Sequence, residues 1–367
     1  MNRFDKIAAK IATKQNEWYN LRPILGNANW AIFYVLLGGR EAGKSYSVTN
    51  FFVDQFVNRG IPFTWLRLTE TQMRKLLANN AEKLVDPDIR RKYDLDLITR
   101  GNNVYSVKRA DVEVKHKDGT TEIKREIVER KLMARVYAIS TFYTDKGSIF
   151  DKDFLKNKSM RYNIAIDEFE REKGEKNTFD IVYSLVNQLE NLVRSTKERT
   201  KIFFLGNTLE EASDVLCAFN FIPEKFGTFK LKKKRCVIQN IEPSDAYKKR
   251  RQGTIADILL PTASTFTNKI DSDTTLITKQ RLIHAEKILK FTKDKRDWFT
   301  VWDGNVVRKY NGEKCQVMAM RPYLDEVYRP DIPKQMITLF DTRSFLFHNL
   351  ITFKSFQNHI EMLKPRK

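Results

Sequence analysis

An eight-residue, glycine-containing segment has the composition of a loop that binds phosphate. Residues 38–45 read Gly-Gly-Arg-Glu-Ala-Gly-Lys-Ser, which satisfies the pattern G-x-x-x-x-G-K-[ST]. Glycines allow backbone N–H groups to surround phosphate oxygens, and a following helix presents its positive end to them. Lys44 is expected to neutralise the β- and γ-phosphates, and the Ser45 hydroxyl to coordinate Mg²⁺. The predicted nucleotide-binding residues of this loop are Gly38, Gly39, Arg40, Glu41, Ala42, Gly43, Lys44 and Ser45.

The elements on either side of the loop are those that this chemistry requires. The loop follows an apolar, aromatic and β-branched run at 30–37, which is typical of a strand buried on both faces of a parallel sheet. A helix is predicted from Lys44 to about Asn58, and a second strand at 62–67, which together form one βαβ unit. This context favours a nucleotide-binding loop over a chance glycine-rich turn.

Two adjacent acids end another predicted buried strand. Asp167 and Glu168 directly follow the apolar run 162–166. In a P-loop fold such a strand is expected beside the strand before the loop, so both acids would emerge at the carboxyl edge of the sheet, where ligands bind. Asp167 would hold Mg²⁺ through water, and Glu168 would orient and deprotonate the attacking water. This pairing favours hydrolysis of ATP over transfer to another acceptor; the alternative is an acidic pair that only caps a strand end.

Two further polar residues are candidates for contact with the γ-phosphate. Asn207 follows the predicted strand 201–205 and would face the γ-phosphate from the sheet edge; the alternative is a turn asparagine. Arg194 ends the predicted helix 181–194. In ring ATPases an arginine at such a position often reaches the γ-phosphate of a neighbouring subunit, although a cation at a helix end also interacts favourably with the helix dipole.

The charge of the chain indicates a polyanionic partner. Its 367 residues include 66 Lys and Arg against 46 Asp and Glu, a formal net charge of +20. Such an excess raises the local concentration of phosphates and favours DNA or RNA as the partner. The alternative is a basic protein without a nucleic-acid ligand.

Cysteine usage and hydropathy indicate a soluble protein of a reducing compartment. Cys217, Cys236 and Cys315 are odd in number and widely spaced, which supports neither a disulfide framework nor a zinc site. No signal peptide is expected. No uncharged apolar stretch approaches the ~18–20 residues that a bilayer requires, so no membrane partner is expected.

The succession of predicted elements indicates an α/β protein with two domains. Residues 1–222 are expected to form a P-loop ATPase domain, with an antiparallel hairpin insertion at about 100–135. The basic side chains of this hairpin would reach a phosphate backbone, or would only face solvent. Residues 223–254 are turn-rich and basic, and are expected to be a linker or lid. Residues 255–367 are expected to form a second, smaller α/β domain that binds nucleic acid.

Together these motifs resemble the small genome-packaging ATPases of short-tailed, protein-primed bacteriophages, relatives of terminase large subunits and of ring-forming DNA translocases. The resemblance covers most of the chain and is carried by Arg40 within the loop, by the run 167–173, and by the succession 192–194, 198–199 and 205–207. It implies a P-loop NTPase of the additional-strand, catalytic-glutamate type. It also implies a C-terminal α/β domain similar to an RNase H-like nuclease that has lost its activity, and the sequence after 255 shows no convincing cluster of acids for two metals.

The resemblance further implies an ATP- and Mg²⁺-dependent motor that drives double-stranded DNA into a preformed capsid. Such a motor is a homo-oligomeric ring, a pentamer in relatives, with a capsid portal or connector and a structural RNA as candidate partners. It works in the host-cell cytoplasm, transiently at the portal vertex. Two alternatives remain open: a terminase large subunit with an active nuclease, and a nucleic-acid-binding scaffold or loader whose P-loop only switches conformation.

Several residues acquire expected roles by this resemblance. Arg194 matches an arginine finger that acts in trans, and Lys146 matches a lysine at the subunit interface. Basic residues after the second strand match DNA contacts by region only. The catalytic candidates are Glu168, Lys44, Arg194, Arg40 and Lys146, and the DNA-binding candidates are Arg67, Arg74 and Lys75.

Overall fold

A computed structural model describes residues 18–115, 121–140, 161–169, 181–193, 200–207, 213–223, 225–255, 258, 276–278, 287–292, 298–302, 306–310, 318–319 and 333–364. The chain divides into two compact units. The first comprises residues 1–209 and 225–269, and the second comprises residues 210–224 and 270–367.

The first unit is built on a largely parallel sheet. Its strands are β1 (Phe33–Leu37), β2 (Phe63–Arg67), β3 (Asp96–Arg100), β4 (Asn103–Lys115), β5 (Thr121–Ala138), β6 (Tyr162–Asp167), β7 (Thr200–Gly206), β8 (Gly227–Leu231) and β9 (Cys236–Asn240). Their spatial order is β3-β4-β5-β2-β6-β7-β1-β9-β8. Neighbours from β5 to β9 in this order run parallel, and β3, β4 and β8 add antiparallel edges.

The described α-helices of this unit are α1 (Arg22–Asn27), α2 (Lys44–Arg59), α3 (Glu70–Ala81), α4 (Pro87–Tyr93), α5 (Ile181–Val193) and α7 (Asp245–Arg251). Helix α6 (Asp214–Ala218) belongs to the second unit. The predicted βαβ unit is confirmed, since α2 connects β1 to β2. Phe52 of α2 packs on Phe203 of β7 and on Trp65 of β2, with ring centroids 5.3 and 6.0 Å apart. The helix therefore packs across both β2 and β7.

The central strands are buried on both faces. All residues of β6 and β7 are buried, as are all but the first residue of β1. This explains their continuous apolar sequences, because strands covered on both faces have no polar alternation.

Residues 223–254 were predicted to be a linker or lid, and the structure corrects this prediction. Strands β8 and β9 belong to the main sheet, and β9 pairs in parallel with β1 from Phe33↔Cys236 to Leu37↔Asn240. The prediction was wrong because β9 is only five residues long and follows the basic run 230–235, whose composition is that of a solvated segment. The sequence predicts that residues 210–222 belong to the ATPase domain and that the linker begins at 223. In the structure the whole segment 210–224 groups with the second unit.

The predicted antiparallel hairpin is confirmed as β4 and β5. It is more than an insertion, because the end of β5, from Ala134 to Ala138, pairs in parallel with β2. The described side chains from Lys108 to Arg130 are mostly exposed. Contact of this distal part with a phosphate backbone stays a prediction.

The second unit contains a five-stranded antiparallel sheet and three described helices. Its strands, in spatial order, are β10 (Lys287–Thr292), β11 (Trp298–Trp302), β12 (Val306–Tyr310), β13 (Met318–Ala319) and β14 (Phe345–Leu346). Its helices are α6 (Asp214–Ala218), α8 (Pro333–Asp341) and α9 (Leu350–Leu363). Phe347 packs between the rings of Phe345, Phe353 and Phe356 and forms the centre of an aromatic core.

The nuclease-like character of this unit stays a prediction. Four acids of the sequence after 255 that could be compared with nuclease metal ligands are Asp303, Asp325, Glu326 and Asp341. Asp341 pairs with Lys364 at 3.2 Å, whereas the other three lie outside the described residues. Within the described part of the chain, no group of three or more His, Cys, Asp or Glu residues is arranged to hold a metal ion. Among the helices of that same part, none combines the length and the apolar character needed to cross a membrane.

Candidate nucleotide-binding site

The glycine-containing loop joins the end of β1 to the start of α2. Two of its residues have left-handed backbone conformations, Glu41 at φ 63° and Gly43 at φ 88°. Glycine meets the second requirement without strain, and the helix begins at the next residue, Lys44. The Gly38 N–H donates to the carbonyl oxygen of Gly206 at 3.2 Å, which ties the loop to the end of β7.

Lys44 lies inside the loop. Its side-chain ammonium donates to the carbonyl oxygens of Gly38 at 2.6 Å and Gly39 at 2.8 Å, and approaches Oδ1 of Asn207 at 3.4 Å. The residue is only 5% exposed. The loop carbonyls thus hold the Lys44 ammonium inside the loop, where a lysine of this motif contacts phosphate oxygens.

Ser45 and Asp167 meet where the loop helix reaches the end of β6. The Ser45 hydroxyl donates to Oδ1 of Asp167 at 3.3 Å. A hydroxyl and a carboxylate are oxygen donors of the kind that Mg²⁺ prefers, and Mg²⁺ keeps several waters, so few protein ligands are needed. The two side chains therefore fit the predicted metal site.

The order of the strands at this edge differs from the expectation that the strand of the two acids lies beside the strand before the loop. β7 lies between β1 and β6. This insertion is the arrangement of the additional-strand type of P-loop fold. Ser45 still reaches Asp167 because α2 crosses the intervening strand, and because Asp167 is level with Leu205, which is level with Leu36.

Arg67, predicted to contact DNA, lies in the site. Its guanidinium forms ion pairs with both acids, at 3.0 Å from the Asp167 carboxylate and in close contact with the Glu168 carboxylate. Arg67 ends β2, which pairs with β6. The sequence does contain a pattern that predicts this position. An arginine at the carboxyl end of one parallel strand lies at the same sheet edge as acids at the carboxyl end of another strand.

The electrostatics of the acids follow from burial. Burial raises the pKa of Asp167, and the Arg67 guanidinium and the Lys44 ammonium both oppose this rise. Glu168 is in the left-handed region at φ 55°, and its N–H donates to the carbonyl of Leu205 at 2.9 Å. The chain thus turns sharply at Glu168, so that its carboxylate lies at the sheet edge while Phe169 packs inward on Phe204.

A cavity of about 560 Å³ opens beside these groups. Its lining combines the metal-binding candidates with apolar and polar side chains of β2 and of the segment before α4. The lining includes Ser45, Trp65, Arg67, Asp167, Glu168 and Asn207. The cavity therefore provides a space beside Glu168 that water can enter.

The structure brings Lys44, Ser45, Asp167, Glu168 and Asn207 together. It does not bring the other two DNA candidates, Arg74 and Lys75, next to Arg67. Arg74 pairs with Glu70 on the exposed face of α3, next to the exposed Lys75. Their contact with DNA stays a prediction. Arg194 and Lys146 lie outside the described residues, so their roles also stay predictions.

Sequence reasoning also missed four residues on the outer side of the loop. Tyr247, Arg250 and Arg251 of α7 contact residues 40–41, and Trp18 lies against Gly43. Arg250 and Arg251 belong to the basic run 248–251, which by its composition alone is typical of a linker.

Comparisons with known proteins identify the fold. No protein-family model and no curated protein matches the chain. The bacteriophage phi29 viral genome packaging motor assembly matches over 95% of this chain and 100% of its own, with 15% identity and a TM-score of 0.58. The Phi-28 gp11 DNA packaging motor matches over 96% of this chain and 100% of its own, with 15% identity and a TM-score of 0.56. The N-terminal domain of the phi29 DNA packaging ATPase matches over 62% and 98%, with 21% identity and a TM-score of 0.45.

The chain therefore has the α/β fold of phage packaging ATPases over almost its whole length. The resemblance drawn from the motifs is confirmed at the level of the fold.

Proposed function

We propose that this protein is an ATPase that translocates double-stranded DNA and packages a viral genome into a preformed capsid. The observation that carries the proposal is the convergence of Lys44, Ser45, Asp167 and Glu168 at one edge of the sheet. The fold shared with packaging motors supports the choice of DNA as the cargo, and the net charge of +20 supports a polyanionic partner.

Binding of ATP rests on the loop and its lysine. Backbone N–H groups of residues 38–45 surround the phosphates, and the Lys44 ammonium exchanges the carbonyl oxygens of Gly38 and Gly39 for phosphate oxygens. Ser45, and Asp167 through water, would hold Mg²⁺, which would neutralise part of the phosphate charge. Asn207, already 3.4 Å from the Lys44 ammonium, lies on the side of the γ-phosphate.

Hydrolysis rests on Glu168. Its carboxylate orients water in the cavity and accepts a proton from it. Arg67 holds this carboxylate at the sheet edge and compensates the charge of two acids that would otherwise repel each other. In a ring, Arg194 and Lys146 of one subunit complete the site of the next, and Arg40 adds positive charge at the loop.

Translocation without base reading requires contacts with the phosphate backbone. Arg74 and Lys75 on α3 are the candidates for these contacts. The ring, a pentamer by resemblance, docks on a capsid portal, and a structural RNA is a further candidate component. The site of action is the host-cell cytoplasm, at the portal vertex during packaging.

The experiment that tests this function is ATP hydrolysis by the full chain with and without double-stranded DNA. We expect hydrolysis stimulated by DNA and abolished by Lys44→Ala, while Lys232→Ala, an exposed lysine in the turn before β9, serves as the charge-matched control. Glu168→Gln should lower kcat by about 10²–10⁴-fold and leave ATP binding intact. Tight ATP binding with negligible hydrolysis in the presence of DNA would identify a scaffold or loader instead.

Two further measurements separate the remaining alternatives. Plasmid incubated with Mg²⁺ or Mn²⁺ should stay intact, because a linear product would identify an active nuclease. Mixing Arg194→Ala with Glu168→Gln subunits should recover part of the activity, since a subunit with an intact Glu168 then meets a neighbour with an intact Arg194. The absence of recovery at every mixing ratio would contradict the assignment of Arg194 to a neighbour's site.

A further inference from the structure

Helix α7 contacts the outer side of the nucleotide-binding loop through three side chains. The Tyr247 hydroxyl donates to the carbonyl oxygen of Arg40 at 2.9 Å. Nη2 of Arg250 donates to the carbonyl oxygen of Glu41 at 2.7 Å. Nη1 of Arg251 lies 3.2 Å from the Glu41 carboxylate. The helix is therefore attached to the two residues that precede Ala42 and Gly43 in the loop.

The segment at residues 18–19 completes this arrangement. The Tyr19 N–H donates to the carbonyl oxygen of Ala42 at 2.9 Å. The Arg250 guanidinium lies 3.9 Å from the centre of the Trp18 ring, close enough for a cation–π contact. Three successive carbonyl oxygens of the loop, at residues 40–42, thus each accept a hydrogen bond from outside the loop.

These contacts offset the free-energy cost of an unfavourable backbone conformation in the loop. A phosphate-binding loop turns its N–H groups inward, and here Glu41 adopts a left-handed backbone conformation at φ 63°, which is unfavourable for residues other than glycine. Hydrogen bonds to the outward carbonyls of residues 40–42 select this conformation before phosphate arrives. Preorganisation of this kind increases affinity because less ordering remains to be done on binding.

Two buried hydrogen-bond donors of α7 have no acceptor among the described residues. Nη1 of Arg250 and Nε of Arg251 are buried and make no hydrogen bond within the described part of the chain. Unsatisfied buried donors reduce the stability of a contact. The contacts of α7 with the loop therefore include two donors that gain no hydrogen bond from burial among the described ranges.

The basic run at 248–251 divides into two pairs with different surroundings. Arg250 and Arg251 face the loop, whereas Lys248 and Lys249 are exposed. Lys248 forms an ion pair at 3.5 Å with Asp245 of the same helix. The two lysines provide controls of equal charge on the same helix.

We propose that Tyr247 and Arg250 are positioning residues, which hold the loop carbonyls so that docking of α7 sets the affinity of the site for nucleotide. The proposal rests on the proposed function, because it concerns the same ATP site. Helix α7 is the last described helix of the first unit before the chain enters the second unit at residue 270.

The test compares nucleotide affinity and kinetics of the full chain in four variants, Tyr247→Phe, Arg250→Met, Arg250→Lys and Lys249→Met. Tyr247→Phe removes one hydroxyl, Arg250→Met removes the guanidinium while keeping an unbranched side chain, and Lys249→Met removes the same charge from the exposed face. ADP affinity is measured by calorimetry with Mg²⁺, and kcat and KM are measured for ATP. Thermal unfolding without nucleotide reports any general loss of structure.

We expect Tyr247→Phe to weaken ADP binding and raise KM by roughly two- to ten-fold, the equivalent of one hydrogen bond. Arg250→Met should have a larger effect, Arg250→Lys a smaller one, and kcat should change less than KM in each. Lys249→Met should match the wild type. If Arg250→Met fails to fold, the conservative Tyr247→Phe variant decides the question alone.

Two results would overturn the inference. One is unchanged ADP affinity in Tyr247→Phe and Arg250→Met, and the other is an equal effect of Lys249→Met, which would indicate a response to charge alone. Either result leaves the proposed function intact, provided that the wild type binds and hydrolyses ATP. A wild type that does neither would refute the proposed function first.

Discussion

The guanidinium of Arg67, at the end of β2, lies 3.0 Å from the carboxylate of Asp167, at the end of the adjacent strand β6. Both side chains are largely buried, at 13% and 7% exposure. Arg67 also pairs with Glu168, so one cation compensates both acids on which the proposed chemistry depends.

Removal of Arg67 should therefore destabilise the fold as well as the site. We expect Arg67→Ala to lower the free energy of unfolding by about 3–5 kcal/mol, because it removes the cation that is paired with the buried Asp167 carboxylate. In the double variant Arg67→Ala/Asp167→Asn that charge is also gone, so its loss should be smaller than the sum of the two single losses. Urea denaturation without nucleotide measures the coupling, expected at about 0.5–3 kcal/mol.

An ion pair on the surface of the same unit provides the control for this comparison of single and double variants. Arg74 and Glu70 form an exposed i,i+4 pair on α3, and Arg74→Ala should change the free energy of unfolding by no more than about 0.5 kcal/mol. Strict additivity of the Arg67 and Asp167 substitutions would show that the ion pair does not carry the effect.

Gly206 has no room for a side chain. A Cβ atom there would lie 3.0 Å from Cδ2 of Leu37 and 3.0 Å from the ring of Phe169. We expect Gly206→Ala to lower the free energy of unfolding by about 1–3 kcal/mol through overpacking. We also expect a lower kcat, since a shift of Phe169 moves Glu168, the preceding residue.

Gly26 is the matched control, because a Cβ atom there would meet nothing within 4 Å. In the helix α1, Gly26→Ala should be neutral or stabilising by up to about 1 kcal/mol. Denaturation and ATP hydrolysis are measured on both variants. A Gly206→Ala protein with wild-type kcat would disprove the link between this contact and the position of Glu168.

Because of Lys201, the free energy of unfolding should change with pH in the alkaline range. Its ammonium lies 2.8 Å from the Tyr34 hydroxyl and 3.2 Å from Oδ1 of Asn29, and burial lowers the pKa of Lys201 to about 8. Because the folded pKa lies below that of the unfolded chain, the unfolded state binds more protons between these two values. The free energy of unfolding contributed by Lys201 therefore rises as the pH increases from about 8 towards about 10.4.

The variant Lys201→Met removes this dependence. Its free energy of unfolding relative to the wild type should fall by about 1–2 kcal/mol from about pH 7 to about pH 10, since one pKa unit corresponds to about 1.4 kcal/mol and solvent screens part of the effect. Denaturation at several pH values measures the difference, with the exposed Lys232→Met as control. An equal pH dependence of the two variants would contradict the assignment to Lys201.

Contacts of α3 with DNA should appear in the salt dependence of binding. If Lys75 neutralises one phosphate, Lys75→Ala should reduce the slope of log K against log salt by about 0.9 and weaken binding to all sequences equally. Glu70→Gln should strengthen binding, because it releases Arg74 from its ion pair. Unchanged slopes and affinities in both variants would remove α3 from the DNA surface.

Local pattern was enough to predict the elements that carry the site. The run before the loop, the helix from Lys44, and the strand before Asp167 and Glu168 are each specified by residues close together in the sequence, through apolar continuity and glycine placement. The same is true of the hairpin β4–β5, whose alternation of polar and apolar residues is local. These features survive in the structure with shifts of a few residues at their ends.

The sequence by itself therefore determined the chemistry of the loop, the acids and the parallel core. Only the tertiary structure decided that β7 separates β1 from β6, that β9 joins the sheet beside β1, and that Arg67 and α7 contact the site from two sides. The physical reason is that pairing partners are chosen by burial and packing between segments far apart in the chain. No local pattern states which buried strand lies next to which, or whether an arginine faces solvent or a carboxylate.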